Sequence, residues 1–116
     1  MTRIFLMGIL HSNLKIKALL ALSKLKNTRA WSNETGVAQR LDGKGNISYG
    51  LVGSSDIIGI SGGKFLAVEI KIGKVNLKPQ QIKFKEMIIS LGGLYFEIRN
   101  EGDIENTIKV LSGQIP

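Results

Sequence analysis

Two carboxylates and a lysine fall within one predicted β-hairpin, at Asp56, Glu69 and Lys71. The runs SSDIIGI and FLAVEIKI are apolar and β-branched, and the Gly62-Gly63 pair between them is typical of a two-residue hairpin turn. A turn centred on these glycines sets Asp56 directly opposite Glu69, with Cβ atoms about 5 Å apart. Lys71 lies two residues beyond Glu69, so it shares the same face of the sheet.

This pairing of carboxylates favours metal binding over stability. Facing carboxylates on half-buried strands repel each other unless a cation lies between them or one of them stays protonated. The chain has no cysteine and its one histidine is His11. Thiolate zinc sites are therefore excluded, and a multi-histidine metal site or a Ser-His-Asp triad is disfavoured. Metal chemistry must then use oxygen ligands, which suits Mg²⁺ or Mn²⁺.

The charge is unevenly distributed over what is predicted to be a single domain of 116 residues. Residues 1–85 carry 14 Lys and Arg against 4 Asp and Glu, whereas residues 86–116 carry 2 against 5. A net charge of +7 concentrated in this way indicates a polyanionic partner, most simply nucleic acid. The alternative is a basic surface kept for solubility.

The N-terminal region predicts a helix with two apolar sides. Ser12 or Asn13 can cap a helix that runs to about Lys26, and its opposed apolar stripes require two partners. One is the sheet, and the other is a second subunit or deeper burial within the chain. The apolar residues 1–11 are expected to be part of the fold or an arm that contacts a second subunit. No run reaches the length of a membrane span, and an intracellular, cytoplasmic location is expected.

The remaining pattern predicts a small mixed sheet flanked by helices. Strands are expected at 28–33, 47–52 and 94–100, beside the hairpin. The stretch 34–46 is rich in glycine and is expected to be a mobile basic loop carrying Arg40 and Lys44. A helix should begin at Pro79 and end near Leu91, and a last helix capped by Asp103 should end near Ser112. Gln81 falls on the inward face at the start of the Pro79 helix, so it needs a polar partner.

Several of these segments together resemble one nuclease superfamily. They are Gly53-Ser54-Ser55-Asp56, Glu69-Ile70-Lys71 and the helix start Lys78-Pro79-Gln80-Gln81-Ile82-Lys83-Phe84. The chain is similar in them to PD-(D/E)XK nucleases, and more narrowly to the virus-type replication–repair (VRR-NUC) domains. The resemblance covers about residues 12–112. It implies an α/β fold with a restriction-endonuclease-like αβββαβ core.

The resemblance also implies roles for individual residues. Asp56 and Glu69 would bind Mg²⁺ or Mn²⁺ together with the main-chain carbonyl of Ile70. Lys71 would orient or activate the attacking water, and Gln81 would complete the site. A further set of basic residues near the site is expected to bind DNA phosphates: Arg40, Lys44, Lys74, Lys78, Lys83 and Lys85.

The implied activity is metal-dependent hydrolysis of DNA phosphodiester bonds by a homodimer, on branched substrates such as Holliday junctions. The alternatives are a non-catalytic basic nucleic-acid-binding module, and a nuclease acting on flaps or linear duplex. The chain departs from the family pattern at Ser55, where proline is common. It also lacks the acidic residue that many members carry on the first helix, because no acidic residue precedes Glu34.

Overall fold

A four-stranded mixed sheet forms the centre of the fold in the computed structural model, which describes residues 2–113. The elements in chain order are α1 (Arg3–Ser23), β1 (Thr28–Ser32), β2 (Gly36–Gln39), β3 (Asn46–Tyr49), β4 (Ile57–Ser61), β5 (Lys64–Ile70), α2 (Pro79–Ser90), β6 (Leu94–Ile98) and α3 (Glu101–Leu111). The sheet order is β1-β4-β5-β6, and β5 and β6 are parallel. Leaving aside β2, β3 and α3, this is the expected αβββαβ order.

The predicted register of the central hairpin is confirmed. Ile57 pairs with Val68 and Ser61 with Lys64, so the turn is centred on Gly62 and Gly63. Both glycines have positive φ angles, 56° and 81°. Residues with a side chain rarely adopt this conformation, so the turn favours glycine at both positions. Residues 56 and 69 are the next pair along the same register.

Helices cover both faces of the sheet. On one face, α1 and α3 enclose the main core, which contains the buried residues Leu14, Ala18, Leu22, Ile57, Leu66, Val68, Ile70, Ile98, Ile104 and Leu111. On the other face, α2 packs Phe84 and Ile88 against Ala67. Since side chains alternate along a strand, the Ala67 face of β5 also carries Glu69. The carboxylate pair therefore lies on the α2 side of the sheet, just beyond the smaller core.

The first helix begins earlier than predicted. It starts at Arg3, because the Thr2 side chain accepts a hydrogen bond from the Phe5 backbone N–H at 3.2 Å and caps the helix. Ser12 and Asn13, the predicted caps, lie inside it. Residues 3–11 are thus not a separate arm but its first turns. By length and composition alone this helix could also span a membrane.

The stretch 34–46 was wrongly predicted to be a loop throughout. It contains β2, which pairs antiparallel with β3 to form a separate two-stranded hairpin between β1 and β4. The predicted strand at 47–52 is β3, and it does not join the main sheet. The last helix is capped by Asn100 rather than Asp103, since the Asn100 side chain accepts the Asp103 backbone N–H at 2.9 Å.

Candidate metal centre

Asp56 is held at the start of β4 by backbone contacts. Its carbonyl accepts the Asn33 backbone N–H at 2.8 Å. The Asn33 side chain in turn donates to Ser54 Oγ at 2.7 Å and to the Ser55 carbonyl at 2.9 Å. One asparagine therefore fixes the three residues that lead into the strand, and with them the direction of the Asp56 side chain.

Glu69 faces Asp56 from the end of β5 and is almost completely buried, with 3% of its surface exposed. The two carboxyl groups lie close enough for each to shift the pKa of the other. Asp56 Oδ2 also accepts the Ile70 backbone N–H at 2.9 Å. The opposition of Asp56 and Glu69 predicted from the hairpin register is therefore confirmed.

The pKa values of the two carboxyl groups are shifted in opposite directions. Burial, followed by the neighbouring Asp56 carboxylate, raises the pKa of Glu69 to about 9. Burial alone would also raise the pKa of Asp56, but hydrogen bonds from Glu69 and the Ile70 N–H and the charges of His11 and Lys15 hold it below its usual value. These shifts favour a proton on Glu69 and a negative charge on Asp56 at neutral pH.

Polar atoms without partners surround this pair. Within residues 2–113, Glu69 Oε2, Ser55 Oγ and Tyr95 Oη are buried and lack a hydrogen-bond partner. Burial, and then the nearby Glu69 and Glu97 carboxyls, raise the pKa of Tyr95. A buried carboxylate oxygen without a donor costs free energy unless something else binds it. The orphaned Glu69 oxygen fits a cation binding at this carboxylate.

A cleft of about 330 Å³ opens beside the carboxylates. It is lined by residues from α1, the end of β5, the segments before β4 and after β5, and the start of α2: Met7, Gly8, His11, Asp56, Glu69, Ile70, Lys71, Ile72, Val75 and Gln81. The structure therefore brings all five residues predicted for metal binding and catalysis to one cleft. Lys71 follows β5 directly, its backbone N–H donating to the Ile98 carbonyl at 3.0 Å. Its charge lowers the pKa of Glu69, opposing the effect of burial.

The inward position of Gln81 predicted a polar partner in the site, but its hydrogen bond is to the start of its own helix. Its Oε1 accepts the Lys78 backbone N–H at 2.8 Å and thereby closes the first turn of α2. The side-chain amide still borders the cleft. Its oxygen is thus a helix-capping acceptor, and its Nε2 group remains as a donor.

His11 is a site residue that sequence reasoning missed. Its Nε2 lies 3.4 Å from Asp56 Oδ2, so α1 supplies a third polar group to the cleft. The family resemblance implied an acidic side chain on the first helix, and α1 brings an imidazole to the cleft instead. The sequence offered one signal for this role, a single histidine in a chain that has no acidic residue before Glu34. It was missed because the predicted helix start at Ser12 left His11 outside the helix.

The basic residues predicted to bind phosphates lie in three places. Lys74 and Lys78 are exposed on the segment between β5 and α2, next to the cleft-lining Val75, and Lys83 is exposed on α2. Lys85 is half-buried, with Nζ 5.5 Å from the centre of the Tyr95 ring. Arg40 is paired with Asp42 at 2.7 Å in the β2–β3 turn, and Lys44 lies in the same turn. The lysines of the β5–α2 segment are therefore the ones best placed beside the cleft.

The ligand set for a metal is small. Within residues 2–113 no three histidine and acidic side chains are grouped as a metal site. Asp56, Glu69 and the Ile70 carbonyl would have to be completed by water or by substrate oxygens, as is usual for Mg²⁺.

No protein-family model matches the chain, and a search of curated proteins finds no match.

Proposed function

We propose that this protein is a Mg²⁺- or Mn²⁺-dependent DNA endonuclease of the PD-(D/E)XK type, in its VRR-NUC branch. The observation that carries the proposal is the opposition of Asp56 and the buried Glu69, whose Oε2 has no partner within the described residues. Two carboxyl groups held this close lower the stability of the fold, because one of them must keep a proton at a pH where it would otherwise be ionised. A metal-binding function offsets that cost.

The residues of the cleft fit phosphodiester hydrolysis. Asp56, Glu69 and the Ile70 carbonyl would hold the cation, which supplies a polarised water and counter-charge for the phosphate. Lys71 would orient that water and stabilise the charge that develops on the scissile phosphate. His11 Nε2 lies 3.4 Å from Asp56 Oδ2, so its imidazole would be placed to hydrogen-bond a water or a phosphate oxygen in the cleft.

Charge supports DNA as the substrate. The cleft borders the segment with Lys71, Lys74 and Lys78, and acidic residues are concentrated after residue 85. Phosphate contacts by such lysines position a duplex without reading its sequence. Branched DNA, such as a Holliday junction, is proposed from the family resemblance and from a symmetric homodimer, which would present two such clefts. A cytoplasmic site of action is part of the same proposal.

The experiment compares a four-way junction, a flap and a linear duplex of matched length, each with Mg²⁺, Mn²⁺ or EDTA. The proposal expects metal-dependent cleavage, fastest on the junction, that is lost in Asp56→Asn. Glu105→Gln, an exposed acid on α3, is the matched control and should cut normally. Cleavage of flaps or duplex with the junction intact would overturn the branched-substrate part. DNA binding with no cleavage and no Mn²⁺ binding by calorimetry would indicate a non-catalytic binding module.

A further inference from the structure

Three buried oxygen atoms near the carboxylate pair lack hydrogen-bond partners within residues 2–113. They are Ser55 Oγ, Tyr95 Oη and Glu69 Oε2. Ser55 is 1% exposed and Glu69 is 3% exposed, so bulk water does not reach their side chains. Buried polar groups without partners destabilise a fold, and each of them needs an explanation.

Tyr95 lies on the same face of the sheet as Glu69. It pairs with Ala67 across the parallel strands β5 and β6, and Ala67 is two residues before Glu69. Because side chains two residues apart on a strand share a face, Tyr95 and Glu69 are diagonal neighbours on adjacent strands. A diagonal neighbour is within reach of an aromatic side chain.

Ser55 and Glu69 both act on the Tyr95 hydroxyl. Burial is the main cause of the raised pKa of Tyr95, and the Glu69 carboxyl is the next. The Ser55 hydroxyl acts in the opposite direction and lowers the pKa of Tyr95. The serine and the carboxyl are therefore both close to the buried end of the tyrosine.

The Tyr95 ring points its hydroxyl into the protein. The residue as a whole is half-buried, whereas its Oη is buried. A tyrosine at the edge of a core more often keeps its hydroxyl in water. The ring packs against the small core of Ala67, Phe84 and Ile88. Lys85 Nζ lies 5.5 Å from the ring centre, so α2 holds the ring in this orientation.

The backbone that carries Ser55 is also held in place. Its carbonyl accepts a hydrogen bond from the Asn33 side chain at 2.9 Å. Two residues earlier, a side chain at Gly53 would collide with the Gln80 carbonyl oxygen, so this segment packs closely against the start of α2. Ser55 and Tyr95 therefore present their hydroxyls from two fixed positions.

Two hydroxyl hydrogens are available to the three oxygens. A carboxylate only accepts hydrogen bonds, whereas a hydroxyl donates one and also accepts. A phenol is more acidic than an alcohol and is the better donor to a carboxylate. We propose that Tyr95 and Ser55 are positioning residues for the metal-binding carboxylate: the Ser55 hydroxyl donates to Tyr95 Oη, and the Tyr95 hydroxyl donates to Glu69 Oε2.

These two hydrogen bonds fix the direction of the Glu69 carboxyl group. Each carboxylate oxygen has two lone pairs, so Oε2 can accept the Tyr95 hydrogen and still bind a cation. Donors behind a ligand orient it and change the affinity of the site for its metal. The inference rests on the proposed metal site and adds to it two residues to which the family resemblance gave no role.

The first test is calorimetry with Mn²⁺ on Tyr95→Phe, which removes only the hydroxyl. The affinity for Mn²⁺ should fall about tenfold or more, the usual effect of losing a donor behind a metal ligand. The unfolding temperature in EDTA should change little, because the ring and its packing remain. Tyr49→Phe is the matched control, since Tyr49 is the only other tyrosine and is 45% exposed on β3. It should bind Mn²⁺ normally.

The outcomes separate this inference from the proposed function. Mn²⁺ binding that is equally tight in wild type and Tyr95→Phe would overturn the role of Tyr95 and leave the metal site standing. A wild-type chain that binds no Mn²⁺ would overturn the metal site, and this inference with it.

The order of the two hydrogen bonds is tested by a double-mutant cycle. Ser55→Ala should weaken Mn²⁺ binding less than Tyr95→Phe does, because serine acts through tyrosine. The double variant should bind no more weakly than Tyr95→Phe alone, since residues that act through one another are not additive. Additive losses, or a larger loss in Ser55→Ala, would overturn this arrangement.

A spectroscopic test leaves Tyr95 and Ser55 in place. In the Tyr49→Phe chain Tyr95 is the only tyrosine, so a carbon-13 label at tyrosine Cζ reports on its hydroxyl alone. The resonance should move when Mg²⁺ binds, and it should stay in place in a chain that also carries Asp56→Asn. A resonance that does not move when Mg²⁺ saturates the site would overturn the proposal.

Discussion

Asp56 Oδ2 accepts the backbone N–H of Ile70 at 2.9 Å, across the hairpin that joins β4 to β5. The hydrogen bond ties the carboxylate to the backbone of Ile70, the residue whose carbonyl is the other proposed main-chain ligand. The two proposed ligands from opposite strands are thus fixed relative to each other before any cation binds. Preorganisation of this kind reduces the cost of assembling a metal site.

The metal-free protein should lose stability as the pH rises. The pKa of Glu69 is raised to about 9 in the folded state from an ordinary value of 4.5. The folded state therefore holds a proton that the unfolded state releases, and the contribution is fully present below pH 4.5 and is lost as the pH approaches 9. The slope should be at most about 1.4 kcal/mol per pH unit. Urea unfolding in EDTA at pH 5.5, 7 and 8.5 measures it.

Glu69→Gln is the comparison for that experiment, because it keeps the shape of the side chain and removes its titratable proton. The difference in free energy of unfolding between the two proteins should narrow or reverse as the pH rises. A difference independent of pH would show that Glu69 is ionised in the fold. Mn²⁺ should also bind more tightly at higher pH in the wild type, since binding must displace the proton.

Replacing Lys71 by Met should separate catalysis from metal binding. Lys71 Nζ contributes charge near Glu69 but is not a proposed ligand. Cleavage should fall by a factor of about 100 or more, the range of a lost charge-stabilising donor. Mn²⁺ affinity measured by calorimetry should change little or increase. Lys109→Met on α3 is the matched control, and loss of Mn²⁺ binding in Lys71→Met would contradict the assigned role.

The single histidine provides a local probe of the site. Because His11 Nε2 lies 3.4 Å from Asp56, Mn²⁺ bound at the carboxylates should broaden the His11 imidazole resonances strongly. The measurement is a proton–nitrogen NMR spectrum of the imidazole during titration with Mn²⁺, with Mg²⁺ as the diamagnetic control. Asp56→Asn should abolish the broadening. Sharp resonances in a wild-type protein saturated with Mn²⁺ would place the cation elsewhere.

Gln81 should contribute separately to the stability of α2 and to the binding of a metal ion. Gln81→Ala removes the acceptor of the Lys78 N–H and should cost about 1 kcal/mol of stability, the usual value of a lost helix cap. Gln81→Glu keeps an acceptor at this position and should retain stability while placing a further negative charge at the cleft. Its Mn²⁺ affinity should therefore rise. If Gln81→Ala lowered cleavage and Gln81→Glu left metal affinity unchanged, the residue would act through α2 alone.

The sequence was sufficient for the central hairpin because its signals are local. A Gly-Gly turn between β-branched runs determines the register, and the register determines that Asp56 faces Glu69. The same kind of signal located α2 and β6. These features do not depend on how distant segments pack.

Three other features could not be predicted from local signals. The approach of His11 to Asp56 depends on where a long helix crosses the end of the sheet, and tertiary packing decides that. The β2–β3 hairpin was missed because its four-residue strands are short and have no core to impose alternation, and the glycines of the turn between them are typical of a loop. The extent of α1 was missed because its apolar first turns carry no helical periodicity.

The contact between Asn33 Nδ2 and Ser54 Oγ, at 2.7 Å, brings together the two ends of the segment that contains β2 and β3. Residues 34–53 thus leave and re-enter the domain at one point. A short linker could replace them without altering the strands on either side. The four-stranded sheet and the β2–β3 hairpin are in that sense separate modules, and a chain shortened in this way should still fold around the four-stranded sheet.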